Sequence, residues 1–410
     1  MNNNDLQIIV AGHICLDITP KFTTEKGVKI NDLFIPGKLL NMDKVNISTG
    51  GPVSNTGIAL QKMGVKTKLM GKVGNDFFGS GVISLLKENG NDEGMIVMDG
   101  EQTSYTVVIV PPGIDRIFLH NPGANNTFKA SDLDYKYIAN AKLFHFGYPP
   151  LMEGMFENDG EQLAEMFMRV KELGVTTSLD MSIPDRNSKS GKVNWEKVLE
   201  NTLPHVDIFL PSYEEIMYMI DREKFEKMGG LSNPHDLLEN FDSGLLSVLS
   251  DKLLSYGAKI VAIKCGEKGF YLRTAKKEQL LKIGITKPGD IKNWSSREIY
   301  EESYFVKDVA SATGSGDSSI AGFLSSYING LPIEKTIKMA CAVGAQNVTM
   351  FDALSGIKDW EYTKDFIENN PPKNKLQLIQ EMWMYIEAGN QWVGKNDVNF
   401  NKKLKRLTAL

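Results

Sequence analysis

Long apolar runs are missing from this chain. No stretch of about 18 consecutive apolar residues occurs among its 410 positions, so no membrane-spanning helix is expected. Cysteine is scarce: Cys15, Cys265 and Cys341 lie far apart in sequence. No pair of them has metal-ligand spacing, and an odd number suits a reducing compartment better than a disulfide framework. The chain also lacks an excess of positive charge. A net charge of −5 argues against a protein built around nucleic-acid phosphates, though it leaves room for a local small-anion pocket. The start, "MNNNDLQIIVAG", has neither a charged n-region nor a long apolar h-region, so no signal peptide is expected. No internal repeat of solenoid period is present. A soluble cytoplasmic protein is the expectation.

What is there is core-forming material. Hydrophobic residues make up 42% and charged residues 24%, which predicts a packed interior rather than disorder. The length permits one large α/β domain with insertions, or two domains. Short runs rich in β-branched residues recur: "QIIVAG" (7–12), "TKLMGKVG" (67–74), "YTVVIV" (105–110), "RIFLH" (116–120), "KLFHFG" (142–147), "TTSLD" (176–180), "VDIFLP" (206–211) and "KIVAIKCG" (259–266). Each reads as a strand. Between several of them lie helical patterns such as "SNTGIALQKMG" (54–64) and "EQLAEMFMRVKELG" (161–174), both ending at glycine. That alternation predicts a mostly parallel sheet covered on both faces. Residues 13–50 and 101–120 break the rhythm and suggest a small β layer beside it. Residues 222–250 and the mixed-charge 273–303 read as insertions, the second as a surface excursion. The tail 394–410 is basic and reads as a solvated end.

Five stretches could carry chemistry. In "SATGSGDSSIAGF" (311–323), Ile320, Phe323, Leu324, Tyr327 and Ile328 have helical spacing, so a helix must begin near Gly316 or Asp317. The "TGSG" before it then lies where unpaired N–H groups favour an anion. Asp317 could cap that helix or do chemistry. In "STGGPVSNTGIAL" (48–60), paired glycines precede a helix start, and Asn55 offers donors and acceptors. "GKVGNDFFG" (71–79) reads mainly as structural punctuation. "FLPSYEEI" (209–216) places Glu214 and Glu215 beyond a strand end, where ligands bind in open parallel sheets and a hydrated Mg²⁺ could be reached. "IKCGEKGFYL" (263–272) is a strand followed by a Gly-x-x-Gly turn.

In this order the pieces resemble the ribokinase-like carbohydrate kinases, or PfkB family, over roughly residues 7–356. The matching elements are Gly50, Gly51 and Asn55; Gly71, Gly74, Asp76 and Gly79; Pro122–Asn125; and, most specific, Gly314, Ser315, Gly316 and Asp317. The resemblance implies a three-layer α/β/α sandwich with a mostly parallel central sheet and a small β lid. The kinase domain would span about 1–360, with the lid from 13–50 and 101–120. A helical extension and basic tail would follow over 361–410. The resemblance further implies transfer of the γ-phosphoryl group of ATP, with Mg²⁺, to a hydroxyl of a sugar or sugar derivative. Asp317 would be the base, and the N–H groups of Gly314, Ser315 and Gly316 the anion hole. Asp17, Gly50, Gly51, Asn55 and Asn125 would hold the substrate. Gly266, Gly269, Cys341 and Ala345 would lie along ATP, and Glu215 would serve the metal. A homodimer through the lid would suit the family; no nucleic acid or membrane partner is expected.

The chain departs from the family pattern in three places. Ser212 stands where the family often has Asn, three residues before Glu215. Ser311-Ala312-Thr313 replaces Asp-Thr-Thr, which puts a bound monovalent cation in doubt. Asp180-Met181-Ser182 replaces Asp-x-Asn. A nucleoside kinase, with Phe22, Phe34 and Phe118 around a base, is the closest alternative. A non-catalytic sensor is the more distant one.

Overall fold

A computed structural model describes residues 6–23, 30–111, 116–230, 236–376, 378 and 381–400. Two sheets organise it. The strands in chain order are β1 (Ile8–Gly12), β2 (Cys15–Phe22), β3 (Met42–Gly50), β4 (Thr67–Gly74), β5 (Met95–Met98), β6 (Tyr105–Ile109), β7 (Ile117–Asn121) and β8 (Leu143–Gly147). They continue with β9 (Thr176–Asp180), β10 (Ile208–Phe209), β11 (Ile260–Lys264), β12 (Gly269–Thr274), β13 (Glu298–Glu302), β14 (Trp383–Ile386) and β15 (Gln391–Gly394). The large sheet has the order β14-β15-β13-β12-β11-β10-β9-β8-β1-β4-β5. From β5 to β11 all neighbours are parallel, and from β11 to β14 all are antiparallel.

Strand β1 shows why the sheet is sandwiched. All five of its residues are buried, and alternate side chains feed two separate cores. Ile8 and Val10 pack with Leu60, Ile320 and Phe323 on one face, while Ile9 and Ala11 pack with Phe144, Phe167 and Val198 on the other. A strand buried on both faces needs helices on both, and that is what an unbroken apolar run signals. Helices Pro52–Lys62, Ser315–Ile328 and Ile333–Asn347 cover the first face. Helices Glu153–Glu172, Trp195–Thr202, Tyr213–Ile220 and Ser243–Ser255 cover the second. The helix Glu153–Glu172 is broken by non-helical backbone at Glu157–Gly160.

The small sheet has the order β3-β2-β6-β7 and forms the expected lid. Residues 24–29 and 112–115, which the lid was expected to include, lie outside the described residues. Cross-strand partners share a face. Asp17 pairs with Ser48 on one side and Thr106 on the other, and Thr106 pairs with His120. Ser48, Asp17, Thr106 and His120 therefore form one polar row across the lid.

Three expectations about the chain's second half are corrected. Residues 273–303 are a surface excursion only in part: 275–293 is largely exposed, but the segment also contains the fully buried Trp294 and β13, all five of whose residues are buried. The charges that suggested solvent are paired inside. Arg297 Nε donates to Asp397 Oδ2 at 2.8 Å, Arg273 lies 3.6 Å from Glu298, and Lys373 lies 2.5 Å from Glu301. Nor is 222–250 wholly an insertion. Helix Ser243–Ser255 buries Leu246, Leu249 and Leu253 in the core beside β11. Among the described residues the extension after 360 is helical at Trp360–Glu368, in the short 3₁₀ turn Glu387–Gly389 and again at 398–400. Its later part is the β14–β15 hairpin, which adds to the sheet edge at β13 through Ile299↔Val393 and Tyr300↔Trp392.

Candidate active site

Asp317 is not the cap of its helix. Helix Ser315–Ile328 begins after Gly314, which is left-handed at φ 71°, and no side chain caps it. A Cβ on Gly314 would lie 2.5 Å from the Cβ of Ala353, so backbone angle and space both require glycine there. The turn carries Asp317 inward, where it is 2% exposed. Its carboxylate accepts three side-chain hydrogen bonds, each 3.1 Å long: from Asn55 Nδ2 and Tyr148 OH on Oδ2, and from Thr56 Oγ1 on Oδ1. Burial raises its pKa above the ordinary aspartate value; Asn55, the Lys264 ammonium, Tyr148 and Thr56 oppose that rise. Ser315 N–H donates to Ala312 O at 3.2 Å, and Gly316 lies over the Lys264 stem.

The ends of parallel strands converge on this carboxylate, as in other open α/β sheets. Tyr148 follows β8 and holds the uncommon left-handed backbone at φ 64°. Burial keeps its phenol protonated and therefore a donor. Asp180 ends β9 and Lys264 ends β11. Lys264 Nζ is ion-paired with Asp180 and donates to Leu210 O at 2.7 Å. Burial works against the ammonium, but Asp180 and then Glu215 raise its pKa, so Lys264 is a cation aimed at the site. Glu215 follows β10 in a capping box. Its Oε2 accepts Ser212 N–H at 2.6 Å, while Glu215 N–H donates to Ser212 Oγ at 3.2 Å.

Facing them is the polar row of the lid. Burial pushes the Asp17 carboxyl up to about 6, against hydrogen bonds from Cys15 and Thr106. The paired glycines make room for this row. A Cβ on Gly50 would lie 2.3 Å from Asp17 Oδ2, and one on Gly51, at φ 90°, 2.5 Å from His13 O. Asn125 is the exception among the expected substrate contacts. It is fully buried, its Oδ1 accepts Ile14 N–H at 3.3 Å, and its Nδ2 donates to Ile14 O at 2.9 Å and Pro122 O at 3.1 Å. With its amide committed to backbone, it anchors the β1–β2 junction instead of lining the pocket.

The expected ATP residues lie at the other end of the same edge. Gly266 opens the β11–β12 turn at φ 51°, and Gly269, at φ 127°, passes so close to β13 that a Cβ would lie 2.1 Å from Glu301 O. Cys341 is buried, with its thiol towards Glu301 O, while Ala345 on the same helix is half-buried. Ser311, at the departing position, accepts a 2.9 Å hydrogen bond from Arg116 Nη1, a residue beside β7 of the lid. "GKVGNDFFG" is structural, as expected. Asp76 caps helix Phe77–Glu88 through Gly79 N–H at 2.7 Å and binds the Thr103 N–H and hydroxyl.

Sequence reasoning missed Thr56, Tyr148, Lys264, His13 and His120. Lys264 carried a signal: a lone charge at the end of an otherwise apolar strand. Tyr148 carried none, because a residue before two prolines reads as a turn.

The sequence matches the pfkB family carbohydrate kinases over residues 8–360, which is most of the chain. The chain belongs to that family. Among similar proteins are a probable fructokinase-5 of Arabidopsis thaliana, 29% identical over 284 residues, covering 68% of this chain and 72% of its relative. Another is a 5-dehydro-2-deoxygluconokinase of Geobacillus kaustophilus, 23% identical over 89% of this chain and 94% of its relative. The fold is that of a putative ribokinase II from E. coli solved with ATP and Mg²⁺, at a TM-score of 0.64 and 20% identity over 89% of this chain and all of that one. An Arabidopsis thaliana ribokinase solved with ribose and ATP superposes at a TM-score of 0.62, with 19% identity over 88% of this chain and 99% of the other. The kinase is thus a phosphotransferase of the sugar-kinase class with the ribokinase fold. Among its described residues no helix is long and apolar enough to cross a membrane.

Proposed function

We propose that this kinase transfers the γ-phosphoryl group of ATP to a hydroxyl of a sugar or sugar derivative held between Asp17 and Asp317. The observation that carries the reading is the buried Asp317 carboxylate, oriented by three donors at an uncapped helix start. Phosphoryl transfer needs an in-line hydroxyl, charge neutralisation and a proton acceptor. Asp317 takes the hydroxyl proton, and its raised pKa suits that task. The N–H groups of Gly314 and Gly316 face the transferring phosphoryl oxygens, while that of Ser315 is engaged with Ala312 O and joins them only if that turn opens; the Lys264 ammonium adds fixed positive charge beside them. Asp17 and Asn55 grip acceptor hydroxyls, with Gly50 and Gly51 allowing close approach. ATP runs along Gly266 and Gly269 towards helix Ile333–Asn347, where Ala345 borders the base and the buried Cys341 supports it from below.

A magnesium ion fits the residues present. Asp180 Oδ2 is buried without a hydrogen-bond partner, and Glu215 adds a second carboxylate at the same sheet edge. Asp180 and Glu215 would hold the ion through its waters, and it would supply charge neutralisation for the phosphates. We further infer that two copies pair through the outer face of the lid, where Val45, Ile47 and Leu119 are each about half exposed. One observation favours a nucleoside as a second reading: Phe118 shares the inner lid face with His120 and is 54% exposed, so its ring could stack on a base.

The deciding experiment is Asp317→Asn. ATP binding should persist while turnover falls about 10²–10⁴-fold. Unchanged turnover would refute the base assignment. A panel of sugars and nucleosides, followed by ADP release, separates the two acceptor classes.

A further inference from the structure

Three soft donor groups meet where the sheet passes into the lid, and phosphoryl transfer uses none of them. His13 sits between β1 and β2, Cys15 opens β2, and His120 lies on β7. One ring nitrogen of each histidine and the Cys15 sulfur all lie within 4.8 Å of one another. His13 Nε2 and His120 Nε2 are 3.3 Å apart, and their rings are tilted by 50° rather than stacked. Two nitrogens on a tetrahedral ion with arms of about 2.0–2.1 Å are separated by about 3.3 Å.

The surroundings point the same way. His120 Nδ1 lies 3.0 Å from Thr106 Oγ1. That is the outer-shell bond a metal-ligating histidine characteristically makes, and it leaves Nε2 facing His13. His13 is 2% exposed, yet its Nδ1 has no hydrogen-bond partner. If His13 Nε2 carries the proton, it donates to His120 and strands a buried acceptor at Nδ1. If Nδ1 carries the proton, His13 Nε2 presents a lone pair, and it meets a lone pair of His120 whenever Thr106 accepts from His120 Nδ1–H. In that tautomer a cation between the rings satisfies both lone pairs. Burial of His13 and desolvation of His120 both lower the imidazole pKa, which favours the neutral form that coordinates.

We propose that His13, Cys15 and His120 form a three-ligand site for a divalent cation of the zinc class, on the acceptor side of the lid. Imidazole and thiolate select such an ion over magnesium, which prefers oxygen. The histidines coordinate through existing lone pairs. The Cys15 thiol, which lies 3.2 Å from Asp17 Oδ1, loses its proton to solvent, so each ion bound releases one proton. The fourth position takes a water oxygen, which leaves Asp17 to the acceptor. The ion would tie β7 of the lid to the β1–β2 junction. The spacing rules that scan a sequence for clustered ligands could not find this group, because its third member stands more than a hundred residues downstream.

The test needs no substrate. The full chain, stripped with a chelator, is titrated with Co²⁺ as a spectroscopic substitute for Zn²⁺. One equivalent should bind, with the strong visible bands of a four-coordinate site and a near-ultraviolet thiolate band, and with one proton released. Zn²⁺ should displace it, and excess Mg²⁺ should not. Cys15→Ser should remove the thiolate band. His120→Gln, on an exposed strand position, should weaken binding at least about 10-fold. Failure of the wild-type chain to bind Co²⁺ or Zn²⁺ would reduce the pair to a hydrogen bond and overturn the proposal. Bands that survive in both variants would place the ion elsewhere and overturn it equally.

Discussion

The proposed reaction asks one carboxylate to accept a proton and another to grip hydroxyls, and the two carboxylates sit in different environments. Asp317 is buried among three donors, while Asp17 is only partly covered and has its pKa pushed up to about 6. The sign of that shift makes a pH prediction. Above about 6 the Asp17 carboxylate is ionised and accepts acceptor hydroxyls; as pH falls through 6 it takes up a proton and loses that capacity. The KM for the acceptor should therefore rise on acidification through pH 6, and Asp17→Asn should show a high, pH-independent KM. For stability the sign is reversed. The folded state binds this proton more tightly than the unfolded chain, so Asp17's stabilising contribution is complete at low pH and is lost as pH rises through its folded pKa. Tyr148 belongs at the same scale. Tyr148→Phe removes one donor from Asp317 Oδ2 and should lower kcat by roughly 10-fold while leaving the KM for ATP unchanged, the loss of about one hydrogen bond to a charged group. A parallel rise in the KM for ATP would instead indicate a displaced helix.

Among the elements, the glycine-rich turn after β4 is a joint, and Asp76 is its pin. Asp76 caps helix Phe77–Glu88 and binds both the backbone and the hydroxyl of Thr103, so one carboxylate ties that helix to the strand leading into β6. Asp76→Ala should cost about 2 kcal/mol or slightly more, read from the midpoint of urea unfolding, because a cap alone is worth about 0.5–2 kcal/mol. Most elements of this kind were legible in the sequence. β1 is an unbroken apolar run, and β8 and β9 are largely apolar or β-branched, as buried parallel strands tend to be. β13 was not legible. Its "EIYEE" carries three carboxylates that look solvated until Arg273, Lys373 and the backbone N–H groups of Asn396 and Leu376 are brought in from elsewhere in the chain. Sequence periodicity reports which residues avoid water, and it is silent about charges neutralised by distant partners. The site divides on the same principle. Asp317 and the glycines stand in local patterns that need special backbone. Lys264, Tyr148 and the histidines matter only through what folding places beside them.

At the scale of the whole molecule, the buried charges are the most exposed liability. Arg297 is 3% exposed and its partner Asp397 is fully buried, and Asp397 Oδ2 also accepts the Glu298 N–H at 2.9 Å. Asp397→Ala leaves Arg297 with Glu334 alone and Glu298 N–H without its acceptor, so it should destabilise the kinase by about 3 kcal/mol, visible as a drop in Tm. The same pairs bind the β14–β15 hairpin to a sheet whose catalytic strand ends lie several strands away. That arrangement has a consequence for how the kinase is made. The hairpin leaves the ribosome after every strand it packs on. Until then β13 is an open edge, with Arg297 lacking Asp397. A nascent chain is therefore left with one open border of its sheet through the last part of its synthesis, and that border is where newly made kinase is most open to chaperones or to pairing with another chain.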